Sequence, residues 1–158
     1  MPDRNEILNE LKNRYKDEIV SFYDKSPRRV YIEIKRKSIV NIASYIFKEL
    51  KARFNVASAV DARSHIEILY HFTLEYLDLL ISLRVKLDRE NPTIKSLTSV
   101  FKGSNWIERE MYELMGIKFE GHPNLKRLLL SDKWPEGVYP LRCDYKEWDN
   151  NAIRDRGV

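Results

Sequence analysis

The strongest constraint on the fold is a run of alternating apolar and polar residues between positions 65 and 88. Successive side chains of a β-strand point to opposite faces, so this pattern predicts two strands with one buried and one solvated face. A short link joins the two halves of the run, which predicts an antiparallel hairpin. The apolar positions of the two strands are Ile66, Ile68, Tyr70, Phe72, Leu74, Leu79, Ile81, Leu83, Val85 and Leu87.

Weaker patterns before the hairpin predict two helices and two strands. Asp3 and Glu6 have capping-box spacing, and apolar residues at helical spacing continue from there to Phe22. Alternation over 30–35 and small or β-branched residues over 54–61 predict strands. Between them, Ser38 is positioned to cap a second helix.

Two further helices are predicted after the hairpin. Apolar residues at 94, 97 and 101 suggest a short helix that ends near Gly103. A longer helix runs from Asn105, which has capping-box spacing with Glu108, to Met115, and Gly116 lies where a left-handed cap would end it. The resulting fold class is α+β: a single small domain with a mixed, mostly antiparallel sheet and helices packed on one face.

From Ser131 onward the periodicity is lost, although large aromatic residues persist. We therefore divide the chain into an α+β domain, residues 1–130, and an extended C-terminal arm, residues 131–158. Disordered tails rarely keep such aromatics, so the arm is expected to lie along a surface. Composition alone leaves open whether that surface belongs to the same domain or to a partner. The aromatic residues in question are Trp134, Tyr139, Tyr145 and Trp148.

Composition excludes several classes of protein. The 158 residues contain one cysteine, which excludes a disulfide framework and an all-cysteine metal or iron–sulfur site. No apolar run is long enough for a transmembrane helix, and no signal peptide is expected at the N-terminus. The net charge is +4, but acidic and basic residues are mixed along the chain without a basic stripe, which favours an ordinary solvated surface over nucleic-acid binding.

Residues that could carry chemistry are sparse. The sequence contains no glycine-rich phosphate loop and no nucleophile elbow. His65 and His71 share a strand face, but six residues of strand separate them by about 20 Å, too far to share a metal ion. His122 precedes a proline and suits a hydrogen-bonding role in a loop, and Cys143 is more typical of an inert thiol. No catalytic, cofactor-binding or metal-binding residue is predicted.

The densest charged feature is Glu108-Arg109-Glu110-Met111-Tyr112-Glu113 on the last predicted helix. Glu110 and Glu113 share a helix face, as do Arg109 and Glu113. Such carboxylates could serve as acid and base, yet this spacing is more typical of a solvated face with weak ion pairs.

The sequence from Gly103 to Leu130, read as a block, resembles the 30 kDa-subunit family of respiratory complex I, which supplies the C or J subunits of bacterial and chloroplast enzymes. Its hallmark is Glu-Arg-Glu, two further residues, an acidic residue, two apolar residues and Gly-Ile, followed by a histidine or lysine and a lysine or arginine before an apolar run. The matching positions here are Glu108, Arg109, Glu110, Glu113, Leu114, Met115, His122, Lys126 and Leu128. Downstream, Tyr139-Pro140-Leu141-Arg142-Cys143-Asp144-Tyr145 resembles the family's tail motif, with Cys143 where lysine is usual.

The resemblance implies a non-catalytic accessory subunit in the hydrophilic arm of a membrane-bound, ion-translocating redox complex. Such a complex would be a complex I-like dehydrogenase or an energy-converting hydrogenase, and the short chain suits the archaeal or hydrogenase type. The implied partners are the large catalytic subunit and the iron–sulfur relay subunit. This chain would hold no cofactor, whereas iron–sulfur clusters and NiFe or quinone sites would lie in partners. The implied location is peripheral, on the cytoplasmic face of the membrane, with membrane contact only through the complex.

The same resemblance turns the charged helix and the arm into a predicted partner interface. Arg109 and its neighbouring carboxylates would give register, while the arm's aromatics would supply binding energy. The predicted interface residues are Glu108, Arg109, Glu110, Glu113, His122, Lys126, Arg127, Trp134, Tyr139, Arg142, Tyr145 and Trp148.

Two other functions compete with this prediction. A basic α+β RNA-binding module would use exposed strand residues as its platform, namely His65, His71, Arg84 and Lys86. Such platforms stack bases on exposed aromatics, whereas Tyr70, Phe72 and Tyr76 are predicted on the apolar face. A stand-alone enzyme with Glu110 and Glu113 as acid and base has no recognisable substrate pocket in sequence and ranks last.

Overall fold

A computed structural model describes residues 1–146 and contains a five-stranded mixed sheet in the order β1-β2-β5-β4-β3. β2 and β5 are parallel, whereas the other neighbours are antiparallel. The α+β fold class is confirmed. The strands of this sheet are β1 (Ile19–Ser26), β2 (Arg29–Ile34), β3 (Arg53–Asp61), β4 (His65–Leu74) and β5 (Leu79–Asp88).

The predicted hairpin is formed by β4 and β5, which pair in register from His65↔Asp88 to Leu74↔Leu79. Every apolar position of the alternating run is buried, and none exceeds 2% exposure. A two-residue period requires every second side chain to face the core, so the alternation determines both the strands and their orientation.

The α-helices within residues 1–146 are α1 (Arg4–Arg14), α2 (Ile39–Ser44) and α3 (Ser104–Met115). α2 continues as a π-helical turn, Tyr45–Glu49. The helices cover the apolar face of the sheet, where Ile7, Ile42 and Met111 join the strand residues in one hydrophobic core. Within that core, the Phe101 ring lies 4.5 Å from Phe54 and 4.9 Å from Phe47, measured between centroids. The predicted capping box of Asp3 and Glu6 is present at the start of α1.

A second, two-stranded parallel sheet holds α3 in place. β6 (Thr93–Lys95) pairs with β7 (Lys118–Glu120), and α3 is the connection between them. Ile94 and Phe119 are opposite each other in this pair, and both are buried. The short sheet therefore fixes both ends of the segment that carries α3.

The predicted extent of the first helix is wrong beyond Arg14. Ile19 and Phe22 belong to β1 rather than to α1. A β-bulge between Ile19 and Ser21 shifts the alternation of the strand, so that Ile19 and Phe22, three positions apart, are both half-buried. This spacing imitates the period of a helix, because the extra residue of a bulge lengthens the two-residue repeat.

Two details of the later helices are also corrected. Ile94 lies in β6, and only one helical turn follows, in which the amides of Val100 and Phe101 bond to the Leu97 carbonyl. α3 begins at Ser104 with Gly103 as its cap and has no side-chain cap, so the predicted pairing of Asn105 with Glu108 is absent. Glu108 points inward instead. Ser38 does precede α2, but its side chain makes no capping bond.

We predict that Tyr70→Phe stabilises the fold. The Tyr70 hydroxyl is buried in the core and has no hydrogen-bond partner among residues 1–146. A buried, unpaired polar group costs about 1–3 kcal/mol, so its removal should raise the free energy of unfolding by roughly 1 kcal/mol. Urea denaturation measures this change.

Tyr45→Phe is the matched control, because the Tyr45 hydroxyl, unlike that of Tyr70, interacts with the Glu10 carboxylate. Here the same substitution removes a satisfied hydroxyl and should leave stability unchanged or lower it. A loss of stability in Tyr70→Phe as large as that in Tyr45→Phe would contradict the prediction.

Candidate partner-binding site on the third helix

α3 carries the charged sequence block and is built around one buried face. Met111 and Met115 point into the core, while Trp106, Glu110 and Glu113 follow one another at helical spacing on another face. The helix ends at Gly116, whose backbone is left-handed with φ 75°. Glycine adopts this conformation without steric cost, which explains the sharp end of the helix.

Arg109 and Glu113 bind the main chain of the loop formed by residues 124–130. The Arg109 guanidinium donates to the carbonyl of Lys126 at 3.0 Å and to that of Arg127 at 2.6 Å. The Glu113 carboxylate accepts from three successive amides, Leu128 at 2.8 Å, Leu129 at 2.7 Å and Leu130 at 3.2 Å. Two side chains one helical turn apart thus fix the path of a loop that has no regular secondary structure.

Glu108 is fully buried and connects α3 to the segment after β6. Its carboxylate accepts from the Ser96 hydroxyl at 2.6 Å and from the Leu97 amide at 2.7 Å. Burial raises the pKa of Glu108 to about 7, although these two hydrogen bonds act in the opposite direction. The Glu108 carboxyl group therefore changes its charge near neutral pH. Arg109 and Glu113, which follow it on the same helix, are held by hydrogen bonds to the main chain of the loop.

His122 holds the beginning of the loop against the first turn of α3. Its Nδ1 accepts from the Asn124 amide at 3.0 Å, which places the ring proton on Nε2. Nε2 lies 3.0 Å from the Asn105 carbonyl, to which it donates, and 4.0 Å from the Glu108 carboxylate. These hydrogen bonds of His122 position the loop against α3.

The described part of the arm, residues 131–146, lies against its own domain at the end of α3. The ring of Tyr139 covers Gly116 so closely that a Cβ at this position would be 2.6 Å from it. The Leu141 amide donates to the Leu114 carbonyl at 3.1 Å, and Arg142 donates to the Met115 carbonyl at 2.8 Å. Glycine is therefore required at position 116 for two reasons: the backbone there is left-handed, and the Tyr139 ring leaves no room for a Cβ atom.

Two aromatic rings make the arm compact. Trp134 and Tyr145 stack with their centroids 6.1 Å apart, and the Trp134 indole donates to the Val138 carbonyl at 2.8 Å.

A second attachment of the arm, which we call the Asp61 cluster, was not predicted. Asp61, at the end of β3, accepts from Arg89 at 2.9 Å and from the Cys143 amide at 3.0 Å. Arg89 also binds Asp144 at 3.1 Å. The Arg89 hydrogen bonds hold the pKa of Asp61 well below its usual range. Because 82 residues separate Asp61 from Cys143, no local sequence pattern could reveal this contact.

Three large apolar side chains remain exposed along α3. Trp106, in the first turn, is 71% exposed; Leu129, whose amide binds Glu113, is 66% exposed; and Leu141, whose amide binds Leu114, is 59% exposed. We call these three residues the α3 surface. Large apolar side chains left exposed around one helix mark a candidate protein–protein interface.

Most of the predicted interface residues make contacts within their own chain. Glu108, Arg109, Glu113, His122 and Arg142 bind groups of their own chain, as described above. Arg127 reaches the Ser131 carbonyl at 3.3 Å, whereas Glu110 is half-buried and Lys126 exposed. Trp148 lies outside the described residues. A contact of any of these residues with a partner stays a prediction, as does docking of the arm on a partner.

The residues of the proposed RNA platform make contacts within the solvated sheet face. The side chain of His65 lies 2.9 Å from Glu67, and Lys86 lies 3.2 Å from Glu33. His71 Nδ1 lies 2.8 Å from the Ser82 hydroxyl, and the Arg84 guanidinium lies 6.0 Å from the Tyr31 ring centroid. Carboxylates thus alternate with the cations on this face.

Comparison with known proteins identifies relatives along almost the whole chain. Residues 32–150 match the family described as "Respiratory-chain NADH dehydrogenase, 30 Kd subunit". The chain is 32% identical to the C subunit of F(420)H(2) dehydrogenase from Methanosarcina mazei, covering 97% of this chain and 98% of that protein. It is also 32% identical to the beta subunit of the membrane-bound hydrogenase from Pyrococcus furiosus, covering 96% and 91%.

The fold also matches a chain in the structure of the membrane-bound sulfane sulfur reductase, an archaeal respiratory membrane complex. The TM-score is 0.81 at 20% identity, over 96% of this chain and 93% of that chain. Among residues 1–146, no helix of this protein is both long and apolar enough to cross a membrane.

We predict that Glu113→Gln loosens the loop without unfolding the domain. The amide side chain keeps one acceptor oxygen but loses the charge and the second acceptor that serve the three loop amides. Hydrogen bonds to charged groups contribute about 1.5–3 kcal/mol, so exchange of the Leu128, Leu129 and Leu130 amides should accelerate by roughly ten- to a hundredfold. NMR-detected hydrogen exchange measures this.

Glu110→Gln is the matched control, since it makes the same change one turn earlier in α3, where no bond to the loop is present in the described structure. Equal acceleration in both variants would show that the loop does not depend on the Glu113 carboxylate.

We predict that Glu108 makes stability depend on pH near neutrality. Its folded-state pKa of about 7 lies above the ordinary value of 4.5, so its stabilising contribution is complete below about pH 4.5 and is lost as the pH rises through 7. At 1.36 kcal/mol per pKa unit, the loss relative to Glu108→Gln approaches roughly 3 kcal/mol. Urea denaturation between about pH 5 and about pH 8 tests this, and Glu110→Gln is the control. A pH-independent difference between wild type and Glu108→Gln would contradict it.

Proposed function

Because the chain belongs to the respiratory-chain NADH dehydrogenase 30 kDa subunit family, we propose that it is a non-catalytic accessory subunit of a membrane-bound, ion-translocating redox complex. The family includes subunits of complex I-like dehydrogenases and of membrane-bound hydrogenases. The relatives from M. mazei and P. furiosus align with this chain at 32% identity over more than nine tenths of their lengths, and on that similarity we propose a complex of the F(420)H(2) dehydrogenase or hydrogenase type.

The observation that carries this proposal is the set of partners bound by the charged block on α3. Glu108, Arg109 and Glu113 direct their hydrogen bonds to main-chain and hydroxyl groups of the same chain. Acid–base catalysis requires groups that can reach a substrate, whereas these side chains hold a loop and a helix in a fixed relation. A rigid loop that presents apolar side chains suits a subunit whose role is to bind its neighbours.

We propose that the α3 surface binds the large catalytic subunit, with the iron–sulfur relay subunit as a neighbour. Trp106, Leu129 and Leu141 would be buried in that contact, and large desolvated side chains near the centre of an interface carry most of its binding energy. Lys126, which is exposed, and Glu110, which is half-buried on α3, would add polar contacts that set orientation more than affinity. The charged block would act indirectly, because it holds Leu129 in position.

In this proposal the redox groups belong to other subunits. Iron–sulfur clusters and a NiFe or quinone site would lie in the partners, and this chain would contribute to their assembly only through the interface. The complex would hold the chain on the cytoplasmic face of the membrane, as a peripheral subunit. The RNA-binding alternative is not favoured, because the candidate platform contains Glu33 and Glu67 among its cations.

We predict that Leu129→Asp together with Trp106→Asp prevents assembly while the isolated chain stays folded. Both side chains are exposed, so their replacement costs the free chain little, whereas buried aspartates at an interface are costly. The test is affinity purification of the tagged chain from its native source in mild detergent, followed by mass spectrometry. Wild type should recover a large hydrogenase-like or quinone-reductase subunit and an iron–sulfur protein, and the variant should recover about a tenth as much or less.

Tyr76→Asp provides the control, because Tyr76 is also exposed, at 43%, but lies in the turn between β4 and β5. Recovery of the same subunits with the α3 double variant would show that the chain binds through another surface. Recovery of RNA, or of the chain alone, from wild type would contradict the proposed function itself.

A further inference from the structure

We propose that the solvated face of the large sheet is a second docking surface, which binds an acidic segment of another subunit of the same complex. We call this face the outer sheet face; it is formed around Tyr23, Tyr31, Leu69, Arg84 and Lys25. The proposal rests on the proposed function in one respect, that the chain is a subunit of a complex. It concerns a surface on the opposite side of the sheet from the helices.

Strand register places an aromatic pair and an arginine in neighbouring rows of this face. In one row, Tyr23 of β1 is opposite Tyr31 of β2, and the rings stack with their centroids 6.4 Å apart. In the next row, Arg84 of β5 is opposite Leu69 of β4. Together these side chains line an open hollow of about 450 Å³ between the β1 edge and the centre of the sheet.

Tyr23 is largely exposed although it lies within a strand of the sheet. It is 60% exposed, and Val56 and Val60 on β3, at the other edge, are 45% and 49% exposed. Exposed tyrosine beside arginine is the composition found at the energetic centres of protein interfaces, since tyrosine offers a large apolar ring at small entropic cost. An ordinary solvated strand face carries polar side chains at these positions.

The charges of this face are arranged so that cations reach furthest into solvent. The side chains of Arg84 and Lys86 are 36% and 45% exposed, whereas those of their partners Glu67 and Glu33 are 18% and 15% exposed. Lys25 is exposed beside Tyr31, its Nζ 5.8 Å from the ring centroid, and it has no ion pair within the described part of the chain. An approaching molecule therefore meets positive charge first, which favours a partner that carries carboxylates.

The same arrangement suits individual carboxylates better than a nucleic-acid backbone. Glu33 and Glu67 lie between the cations, so a continuous row of phosphates would face negative as well as positive charge. Nucleic-acid affinity depends on many phosphate contacts made at once, whereas one aspartate or glutamate needs a single cation beside it. Lys25 and Arg84 supply such cations on two sides of the tyrosine pair.

Site-specific photo-crosslinking in the native complex tests this proposal. A benzoylphenylalanine replaces Tyr23 in the tagged full-length chain, the complex is irradiated before purification, and cross-linked peptides are identified by mass spectrometry. The same amino acid at Leu129 reports on the α3 surface, and at Tyr76 it serves as a control for an exposed site outside both surfaces.

We expect the Tyr23 position to cross-link to an acidic segment of one other subunit. Lys25→Glu combined with Arg84→Glu should lower the yield about tenfold, while the Leu129 cross-link is retained. Lys25→Glu alone, which changes only an exposed side chain, should lower it in the same direction and guards against a folding defect in the double variant.

Several results would overturn the proposal. A cross-link at Leu129 without one at Tyr23 would leave the proposed function standing and remove the second surface. A different occupant would be shown by a cross-link from Tyr23 to RNA or to a second copy of this chain. It would also be shown by a cross-link to a segment without carboxylates whose yield is unchanged by the charge reversals. The absence of cross-links from both positions would count against the proposed function as well.

Discussion

The surface around α3 depends on the Glu113 carboxylate, which gathers the amides of Leu128, Leu129 and Leu130. A loop without regular structure must satisfy its main-chain polar groups, and here one side chain satisfies three amides while Arg109 satisfies two carbonyls. Because both side chains project from one helix, their hydrogen bonds hold the loop in a fixed position relative to α3. The exposed position of Leu129 follows from this arrangement rather than from any contact that Leu129 makes itself.

The arm is also held through main-chain groups, at the C-terminal end of α3. Arg142 and the amide of Leu141 bind the last carbonyls of the helix, and Tyr139 covers the glycine that ends it. Helix ends leave such carbonyls without partners, so a segment that supplies donors there is held without a strand or helix of its own. The Asp61 cluster adds a second attachment at the end of β3. Residues 131–146 are thus ordered by main-chain recognition from two distant parts of the domain.

The charged block illustrates why a motif can be recognised before its role is understood. Spacing alone indicates that Arg109 and Glu113 share a helix face, which the structure confirms. Spacing contains no information about what lies opposite that face. Arg109 and Glu113 bind main-chain carbonyls and amides, which every residue type carries and which no sequence motif can therefore indicate. For the same reason the sequence could not show that Glu108 turns inward to Ser96 and Leu97, because its capping-box spacing allows a local bond equally well.

Local patterns were sufficient to predict the β4–β5 hairpin, the capping box of α1, the length of α3 and its end at Gly116. These features follow from side-chain periodicity and from backbone preferences, which act over a few residues. Folding of the whole chain was needed to show that Ile19 and Phe22 lie in a bulged strand, that Ile94 pairs with Phe119, and that Asp61 holds the arm. Each of those features depends on a partner many residues away, and the energy of such contacts is absent from any local stretch of sequence.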